Sequence, residues 1–238
     1  MRKLLLIALF LPFVFSTSAQ TKLLEKEVPE SFDDGIWGAN LRHYGHFFIG
    51  IGALPEFDGS KIYNNFVSSN MKFGYRYKLK IFNFYALGAE ANVGRLSYRL
   101  KEEQYTYNDP RHSDEWDSQV MRFLTVGGNL YQRINFDRRG NFLGKYLDLG
   151  VSANYIYSSR NIYTYSPSDP SASKVKVKEK GIASVQNDYW GVFARIGSNK
   201  LALTFNYRMS EIMSEIMKDI MKDTPVFEPY QIGIEIGF

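Results

Sequence analysis

Three features of this sequence predict an all-β fold, specifically an eight-stranded antiparallel up-and-down transmembrane β-barrel. Short segments alternate apolar with small or polar residues, which is the period of two expected of β-strands. The connections between these segments alternate long and short. Aromatic residues make up 16% of the chain although its mean hydropathy is -0.29, as expected when only one strand face meets lipid. The predicted strands are 44–54, 70–81, 85–100, 119–135, 147–157, 189–196, 201–209 and 230–238.

The N-terminus predicts a cleaved signal peptide over residues 1–19. A basic pair precedes an apolar run that ends at Phe15, and small residues ending at Ala19 follow. This is the pattern of a secretory signal, and the run is shorter than the roughly 20 residues of a membrane-spanning helix. Residues 20–43 are predicted to be a lead-in segment, and 44–238 the barrel domain. The chain has no cysteine, which excludes disulfides and thiolate chemistry.

The first two strands are predicted from clear alternation. In the first, the apolar residues from Phe47 to Ala53 share one face, and Gly50 and Gly52 lie opposite. Glycine suits an inner face that is crowded. In the second, the apolar residues from Met71 to Ile81 oppose a face made of basic residues and Gly74.

The third strand changes phase partway along its length. Its apolar residues occupy odd positions up to Val93 and even positions from there to Leu100. Because an extra residue shifts the alternation by one, we predict a β-bulge near Gly94 and Arg95.

The middle of the chain supplies four further strands. The fourth strand alternates less regularly, with Leu130 outward and Arg133 inward, and the fifth is regular from Leu147 to Tyr157. The long irregular stretch that follows contains an alternating run over 174–178, which predicts strands protruding above the membrane. A tight turn at 197–199 joins the sixth and seventh strands.

The segment Met209 to Asp223 departs from strand periodicity. Its isoleucines and methionines recur at spacings of three and four, which predicts a short amphipathic helix in the last external loop. Such a helix could cap the barrel mouth, lie on the outer leaflet or receive a partner. A four-residue duplication without a role explains the pattern equally well.

The last strand is the most specific element, because its outward face is wholly apolar and the chain ends on an aromatic residue. That face consists of Tyr230, Ile232, Ile234, Ile236 and Phe238. It resembles the assembly signal of bacterial outer-membrane β-barrel proteins, in particular the small eight-stranded OmpA/OmpX type. A signal peptide ending in Ala-Gln and very aromatic strands are similar to Bacteroidota members of that class.

The resemblance implies a location and a set of partners. The protein would lie in the cell outer membrane after signal cleavage, with residues 20–43 in the periplasm and four external loops. It would contact outer-membrane lipid and lipopolysaccharide, be recognised by the barrel assembly machinery, and meet any surface partner through its external loops.

Several charged side chains are predicted to face the lumen, namely Arg76, Glu90, Asp148, Arg195, Arg208 and Glu235. An eight-stranded barrel is only just wide enough for side chains to fill it. Because an unpaired buried charge is costly, we expect pairing, with Arg76 next to Glu90 and Arg208 next to Glu235 on neighbouring strands. This predicts a polar plug, and a narrow ion path is the alternative.

Other candidate sites are weaker. The acidic loop at 101–118 lacks the D-x-D-x-D-G spacing of a calcium site, and residues 112–114 (His-Ser-Asp) are too close in sequence for triad geometry. His43 and His46 would lie on opposite strand faces, which favours interfacial hydrogen bonds over metal binding. The lysines of 174–180 could contact lipopolysaccharide phosphates or simply form a solvated face.

The overall charge gives no argument for a nucleic-acid partner. The chain has 29 Lys and Arg against 25 Asp and Glu, and cleavage would remove two of the basic residues, leaving a charge of about +2. We therefore expect a non-enzymatic outer-membrane barrel without cofactor, catalytic residues or metal, acting in surface interaction or envelope integrity. The alternatives are a narrow transport or secretion-associated channel and, less favoured, a lipid-modifying enzyme.

Overall fold

The computed structural model describes residues 36–55, 68–100, 117–136, 142–165, 173–182, 185–213 and 227–238. All of them belong to the compact unit Gly35–Phe238. The predicted signal peptide and residues 20–35 of the predicted lead-in lie outside the described residues.

The described residues form nine strands. They are β1 (His43–Ala53), β2 (Ser69–Lys80), β3 (Tyr85–Leu100), β4 (Ser118–Asn135), β5 (Lys145–Tyr165), β6 (Val175–Lys180), β7 (Asp188–Ser198), β8 (Leu201–Arg208) and β9 (Tyr230–Gly237). No helix occurs among them, and so none that is long and apolar enough to cross a membrane.

Eight of the nine strands close into a ring. Every neighbouring pair is antiparallel, in the order β1–β2–β3–β4–β5–β7–β8–β9, and β9 pairs back onto β1. The sixth strand pairs only with residues 160–165 at the C-terminal end of β5. Together they form a two-stranded hairpin that extends beyond the ring. The all-β antiparallel prediction is confirmed, and β6 corresponds to the alternating run over 174–178.

The two ends of the ring differ in their connections. At one end, called the turn end, 81–84 joins β2 to β3 and 199–200 joins β7 to β8. Asn199 adopts a φ of 53°, a left-handed conformation that asparagine tolerates better than most residues. Its backbone N–H donates to Gly144 O at 2.9 Å, which ties two turns together. The longer connections join the strands at the opposite end, called the loop end.

The predicted β-bulge in β3 is wrong. Residue pairing runs without interruption through Gly94 and Arg95 on both sides of the strand. The irregularity lies instead between β4 and β5, where pairing shifts between Leu124 and Thr125. Because β3 is continuous, Leu96, Tyr98 and Leu100 lie on the same inner face as the even-numbered residues before them.

The outer face of the ring is apolar and the inner face is filled. On β5 the odd residues from Leu147 to Tyr157 point outward, while Asp148 on the inner face is fully buried. Many of the large outward side chains are exposed, including Ile49, Ile51, Phe73, Leu87, Val93, Leu130, Val151, Tyr155, Trp190, Ile196, Leu203, Ile234 and Ile236. The fold therefore places polar side chains inside and apolar ones outside around most of the ring.

Candidate functional site

A network of three arginines and three carboxylates occupies the centre of the ring. Its members are Arg76, Glu90, Arg133, Asp148, Arg195 and Glu235, and all are buried. They come from six different strands and face the interior of the ring. Their formal charges sum to zero, and Lys72, which lines the same cavity as Glu235, adds one positive charge beside them.

Arg195 is the hub of this network. Its Nη2 donates to Glu90 Oε2 at 2.9 Å and its Nη1 to Asp148 Oδ2 at 3.0 Å. Its Nε lies 2.8 Å from Glu235 Oε2 but is not directed at it, so that contact is an ion pair without a hydrogen bond. One arginine thus contacts all three carboxylates.

The other two arginines complete the pairing. Arg76 donates from Nε to Glu90 Oε2 at 2.9 Å and from Nη2 to Glu235 Oε2 at 2.5 Å. Arg133 makes a bidentate contact with Asp148, at 2.6 and 2.8 Å. Two-pronged contacts of this kind are the strongest that a carboxylate makes with arginine. The network is therefore held rigidly rather than left open for an exchangeable ligand.

Each arginine also stacks on an aromatic ring, and each ring covers a glycine of the neighbouring strand. The guanidinium of Arg76 lies 4.4 Å from the ring centre of Phe48, and that of Arg133 lies 3.7 Å from Tyr146. Phe48 is the direct cross-strand partner of Gly74. A Cβ on Gly74 would lie 2.5 Å from Ala91 O and 2.7 Å from Phe48 Cε1, so only glycine fits between the neighbouring strand and the ring.

The turn end is closed by side chains. Leu143, Tyr146 and Ala202 form a buried apolar cluster against which Ala39 and Tyr44 pack. Lys78 is buried below this cluster, and its Nζ donates to Ala39 O at 2.5 Å. Lys80 of β2 likewise donates from its Nζ to Asn40 O at 3.0 Å. Residues 36–42 of the predicted lead-in thus contact the ring.

The loop end has a different interior, which we call the loop-end cluster. It consists of the buried residues Leu54, Leu96, Tyr98, Leu100, Met121, Phe123, Ile156, Tyr189, Ile212, Met213 and Phe227. The rings of Tyr98, Phe123 and Phe227 pack on one another with centres 4.3 to 6.1 Å apart. An apolar core therefore covers the polar network on this side.

Arg208 does not belong to the central network, so the predicted pairing of Arg208 with Glu235 is wrong. Tyr207 pairs with Tyr230, which places Glu235 opposite Ala202 and far from Arg208. Arg208 instead donates to the backbone oxygens of Ser210 and Phe227, at 3.0 and 2.5 Å. It anchors the chain at the loop end. The other five predicted lumen charges lie in the network.

A small polar cavity lies inside the ring beside the network. A cavity of about 10 Å³, lined by polar side chains including Asn70, Lys72, Thr204 and Gln231, lies next to Glu235. That volume accommodates about one water molecule. Asn70 and Gln231 also hydrogen-bond to each other across the interior at 2.7 Å.

The two histidines of β1 lie on opposite faces. His43 hydrogen-bonds through Nδ1 to the hydroxyl of Tyr77 at 2.6 Å, and His46 faces inward and stacks on Tyr44 at 5.0 Å. Within the described residues, no group of three or more His, Cys, Asp or Glu side chains could hold a metal ion. Residues 112–114 and nearly all of the acidic loop lie outside the described residues.

The predicted helix from Met209 is wrong for the part that the structure describes. Residues 209–213 form no helix and bend at Ser210 and Ile212, and Met213 forms an isolated antiparallel bridge with Val185. Ile212 and Met213 are buried in the loop-end cluster, which explains why tertiary packing overrides helical spacing. Residues 214–223 lie outside the described residues.

The terminal strand presents the predicted apolar face outward. Ile232, Ile234, Ile236 and Phe238 are exposed, while Tyr230 is half-buried against Tyr207, 5.4 Å between ring centres. Phe238 donates its N–H to Phe47 O at 2.9 Å, so the end of the chain is held against β1.

Sequence reasoning missed the aromatic side of the interior. Phe48 and Tyr146, on which two of the arginines stack, were not singled out. No signal in the sequence pairs each ring with its glycine, because long connections join β1 to β2 and β5 to β7 and leave the register open.

No protein-family model matches this chain, and no curated protein sequence matches it. A fold hosts many unrelated functions, so the function must be argued from the chemistry of the ring itself.

Proposed function

We propose that this protein spans the bacterial outer membrane as an eight-stranded β-barrel with a filled, non-conducting lumen. Its role is non-enzymatic and is carried by the external loops at the loop end, in surface interaction or envelope integrity. The apolar outward face of β9 is the segment that the barrel assembly machinery recognises. Lipid and lipopolysaccharide surround the outer face.

One observation carries this proposal: the polarity of the two faces inverts along the strands. On β3, the apolar Val93 points outward and the polar Asn92 inward. Only two to four residues further along the same strand, Arg95 points outward and the apolar Leu96 inward. A single strand in a uniform solvent would keep one polar and one apolar face. The inversion is expected where the strand leaves lipid for water.

The fourth strand repeats the inversion at the same height. Leu130 is exposed on the outside beside the buried Asn129, whereas further along Arg122 is outward beside the fully buried Phe123. Arg95 of β3 pairs with Leu124 of β4, two residues from Arg122, so the two strands change within two residues of each other. A shared level is what a membrane surface imposes on neighbouring strands.

The apolar band also has a suitable height. On β5 the outward residues from Leu147 to Tyr157 span ten residue steps, or about 33 Å along the strand at roughly 3.3 Å per residue. With the usual tilt of roughly 40°, this corresponds to about 25 Å across the bilayer, the height of the apolar band in outer-membrane barrels. Monomeric soluble proteins rarely expose a continuous apolar belt of this extent.

Depth-dependent substitution tests the membrane assignment. Leu130 is 64% exposed at the middle of the β4 outer face, and Leu201 is 56% exposed at the turn end of β8. Arginine costs about 2–4 kcal/mol at the bilayer midplane and about 0–1 kcal/mol near the interface. We expect Leu130→Arg to lower the free energy of unfolding in lipid vesicles by the larger amount and Leu201→Arg by the smaller. Equal effects of the two substitutions would contradict insertion.

Planar-bilayer recording tests the filled lumen. Protein that shows heat-modifiable gel migration, and so has formed a barrel, is expected to give no discrete conductance steps. The reason is that the ion pairs of Arg195 and the buried side chains around them occupy the centre of the ring. Discrete single-channel steps would contradict the filled lumen and favour the narrow transport or secretion-associated channel.

A further inference from the structure

Four cations form a row on the outer surface of adjacent strands, which we call the outer basic row. It consists of Arg95 on β3, Arg122 on β4, Arg160 on β5 and Lys180 on β6. Arg122 is the direct cross-strand partner of Arg160, and Arg160 is the direct partner of Lys180. Arg95 pairs with Leu124, two residues from Arg122, which makes it a diagonal neighbour.

The row has no compensating charge in the part of the chain that the structure describes. The Nε atoms of Arg95, Arg122 and Arg160 are all buried without a hydrogen-bond partner there. Like charges placed directly opposite each other on adjacent strands destabilise a sheet. Buried guanidinium donors without partners are likewise unfavourable. Both costs disappear if an anion with several acceptor oxygens lies against the row.

The row lies just beyond the edge of the outer apolar band. Arg95 follows the outward Val93 by two residues, and Arg122 lies two residues beyond the outward Leu124. Two residues of a strand correspond to about 7 Å. In the orientation proposed above, this is the level of lipid headgroups rather than of acyl chains.

A cavity lies beside the row, where β5 leaves β7 and continues its pairing with β6. It has a volume of about 430 Å³, and Lys180, Ser158, Ser159 and Asn187 are among the residues that line it. Its apolar lining is made by Ile156, which belongs to the loop-end cluster, and by Ile182 and Val185, which pack against that cluster. Hydroxyl and amide groups of this kind hydrogen-bond to sugar hydroxyls. The row and the cavity share Lys180, so one molecule can contact both.

We propose that the outer basic row and this cavity bind the phosphorylated sugar headgroup of a glycolipid in the outer leaflet. A phosphate lies between Arg122, Arg160 and Lys180, where like charges would otherwise face each other. The sugar enters the cavity, and the acyl chains run along the apolar band. This inference rests on the proposed membrane insertion and names the lipid that the outer surface selects.

Binding to folded protein in uncharged detergent tests the proposal. Calorimetric titration with bisphosphorylated lipid A is compared for wild type, the variant R122Q/R160Q/K180Q and the control R42Q/K145Q/K200Q. The control removes three exposed cations from the turn end. A basic side chain near an anionic lipid surface strengthens binding about fivefold, so we expect the first variant to bind about 100-fold more weakly and the control to match wild type.

Three results would overturn the proposal. The first is equal affinity of wild type and R122Q/R160Q/K180Q, and the second is equal affinity for dephosphorylated lipid A. The third is competition by inorganic phosphate at the same concentration as the lipid, because the site would then bind free phosphate. If the triple variant lacks heat-modifiable migration, R160Q replaces it, with an expected fivefold loss that R160K partly restores.

The failure of this inference differs from failure of the proposed function. If Leu130→Arg and Leu201→Arg have the same effect in vesicles, membrane insertion itself is wrong. If they differ as expected but the phosphorylated and dephosphorylated lipids bind alike, only the glycolipid site is wrong.

Discussion

The centre of the ring and its loop end are both filled, but with opposite chemistry. In the centre, Arg76, Arg195 and their carboxylates are buried and make direct ion pairs. At the loop end, the same inner face carries Tyr98 and Phe123, packed edge to face at 6.1 Å. One closed sheet thus encloses a charged interior in one part and an ordinary apolar core in the other.

The difference indicates how each part is stabilised. Buried charges in the centre must find partners whatever surrounds the ring. If lipid surrounds the apolar belt as proposed, burying further apolar groups there adds little stability. Water would then surround the strands beyond the belt, where burial of apolar groups stabilises them directly. In the proposed orientation, the centre is stabilised by specific pairing and the loop end by the hydrophobic effect.

The largest expected effect comes from breaking the pairing in the centre. Asp148 accepts hydrogen bonds from Arg133 and Arg195. Asp148→Asn therefore removes the negative charge that these two buried guanidinium groups share. We expect the free energy of unfolding to fall by about 3–5 kcal/mol. Urea unfolding in lipid vesicles, followed by loss of the heat-modifiable form, measures it.

Asp117 is the matched control for that substitution. Its carboxylate lies 3.9 Å from Lys174 Nζ, and the two side chains are 42% and 73% exposed. An exposed pair contributes about 0–1 kcal/mol, so Asp117→Asn is expected to change the unfolding free energy by less than about 1 kcal/mol. Equal losses for Asp148→Asn and Asp117→Asn would show that the central pairs contribute no more than surface ones.

The central pairs also show how far sequence can predict contacts between strands. Arg76 and Glu90 lie on strands joined by the short turn at 81–84, and a short turn fixes the pairing register. Their pairing therefore follows from the alternation together with the short turn. Arg208 and Glu235 lie on strands joined by the long connection 209–229, whose length leaves the register open. Neighbouring strands were therefore predictable, but the residue opposite Arg208 was not.

Breaking the loop-end core is expected to have the next largest effect, confined to that end. Phe123 is fully buried and packs on Tyr98 and Phe227, so Phe123→Ala removes about 3 kcal/mol of packing. Protease cleavage of the loop-end connections is expected to accelerate while heat-modifiable migration persists. Loss of heat-modifiable migration together with rapid cleavage would mean that the centre and the loop end unfold as one unit. The two parts would then not be stabilised separately.

The third strand shows why a local pattern was misinterpreted. After Val93 the apolar residues change from odd to even positions, which is the pattern of a β-bulge if the outward face stays apolar along the whole strand. The backbone pairing stays regular, and the environment changes instead. A change of phase in the alternation has two physical causes, an inserted residue or a change of surroundings. Sequence periodicity alone does not distinguish them, whereas the register does.

The smallest expected effect concerns the glycines that let the central aromatic rings lie flat. On the inner face, a Cβ at Gly74 would lie 2.5 Å from the backbone oxygen of Ala91 on β3 and 2.7 Å from Phe48 Cε1, so it would press on both the neighbouring strand and the ring that stacks on Arg76. We expect Gly74→Ala to lower the free energy of unfolding by about 1–3 kcal/mol, the usual range for overpacking.

The outer face of the same ring supplies the control for Gly74→Ala. A Cβ at Gly128 would lie 3.6 Å from its nearest neighbour, Glu90 O, which is an ordinary contact distance. Gly128→Ala is therefore expected to change stability by less than about 0.5 kcal/mol, as surface substitutions usually do. Because both changes add one methyl group to a strand, propensity cancels between them, and the difference in urea midpoint reports the crowding of the central interior. Equal losses would mean that the β3 backbone at Ala91 and the Phe48 ring both adjust without cost, and the interior would not be crowded at this position.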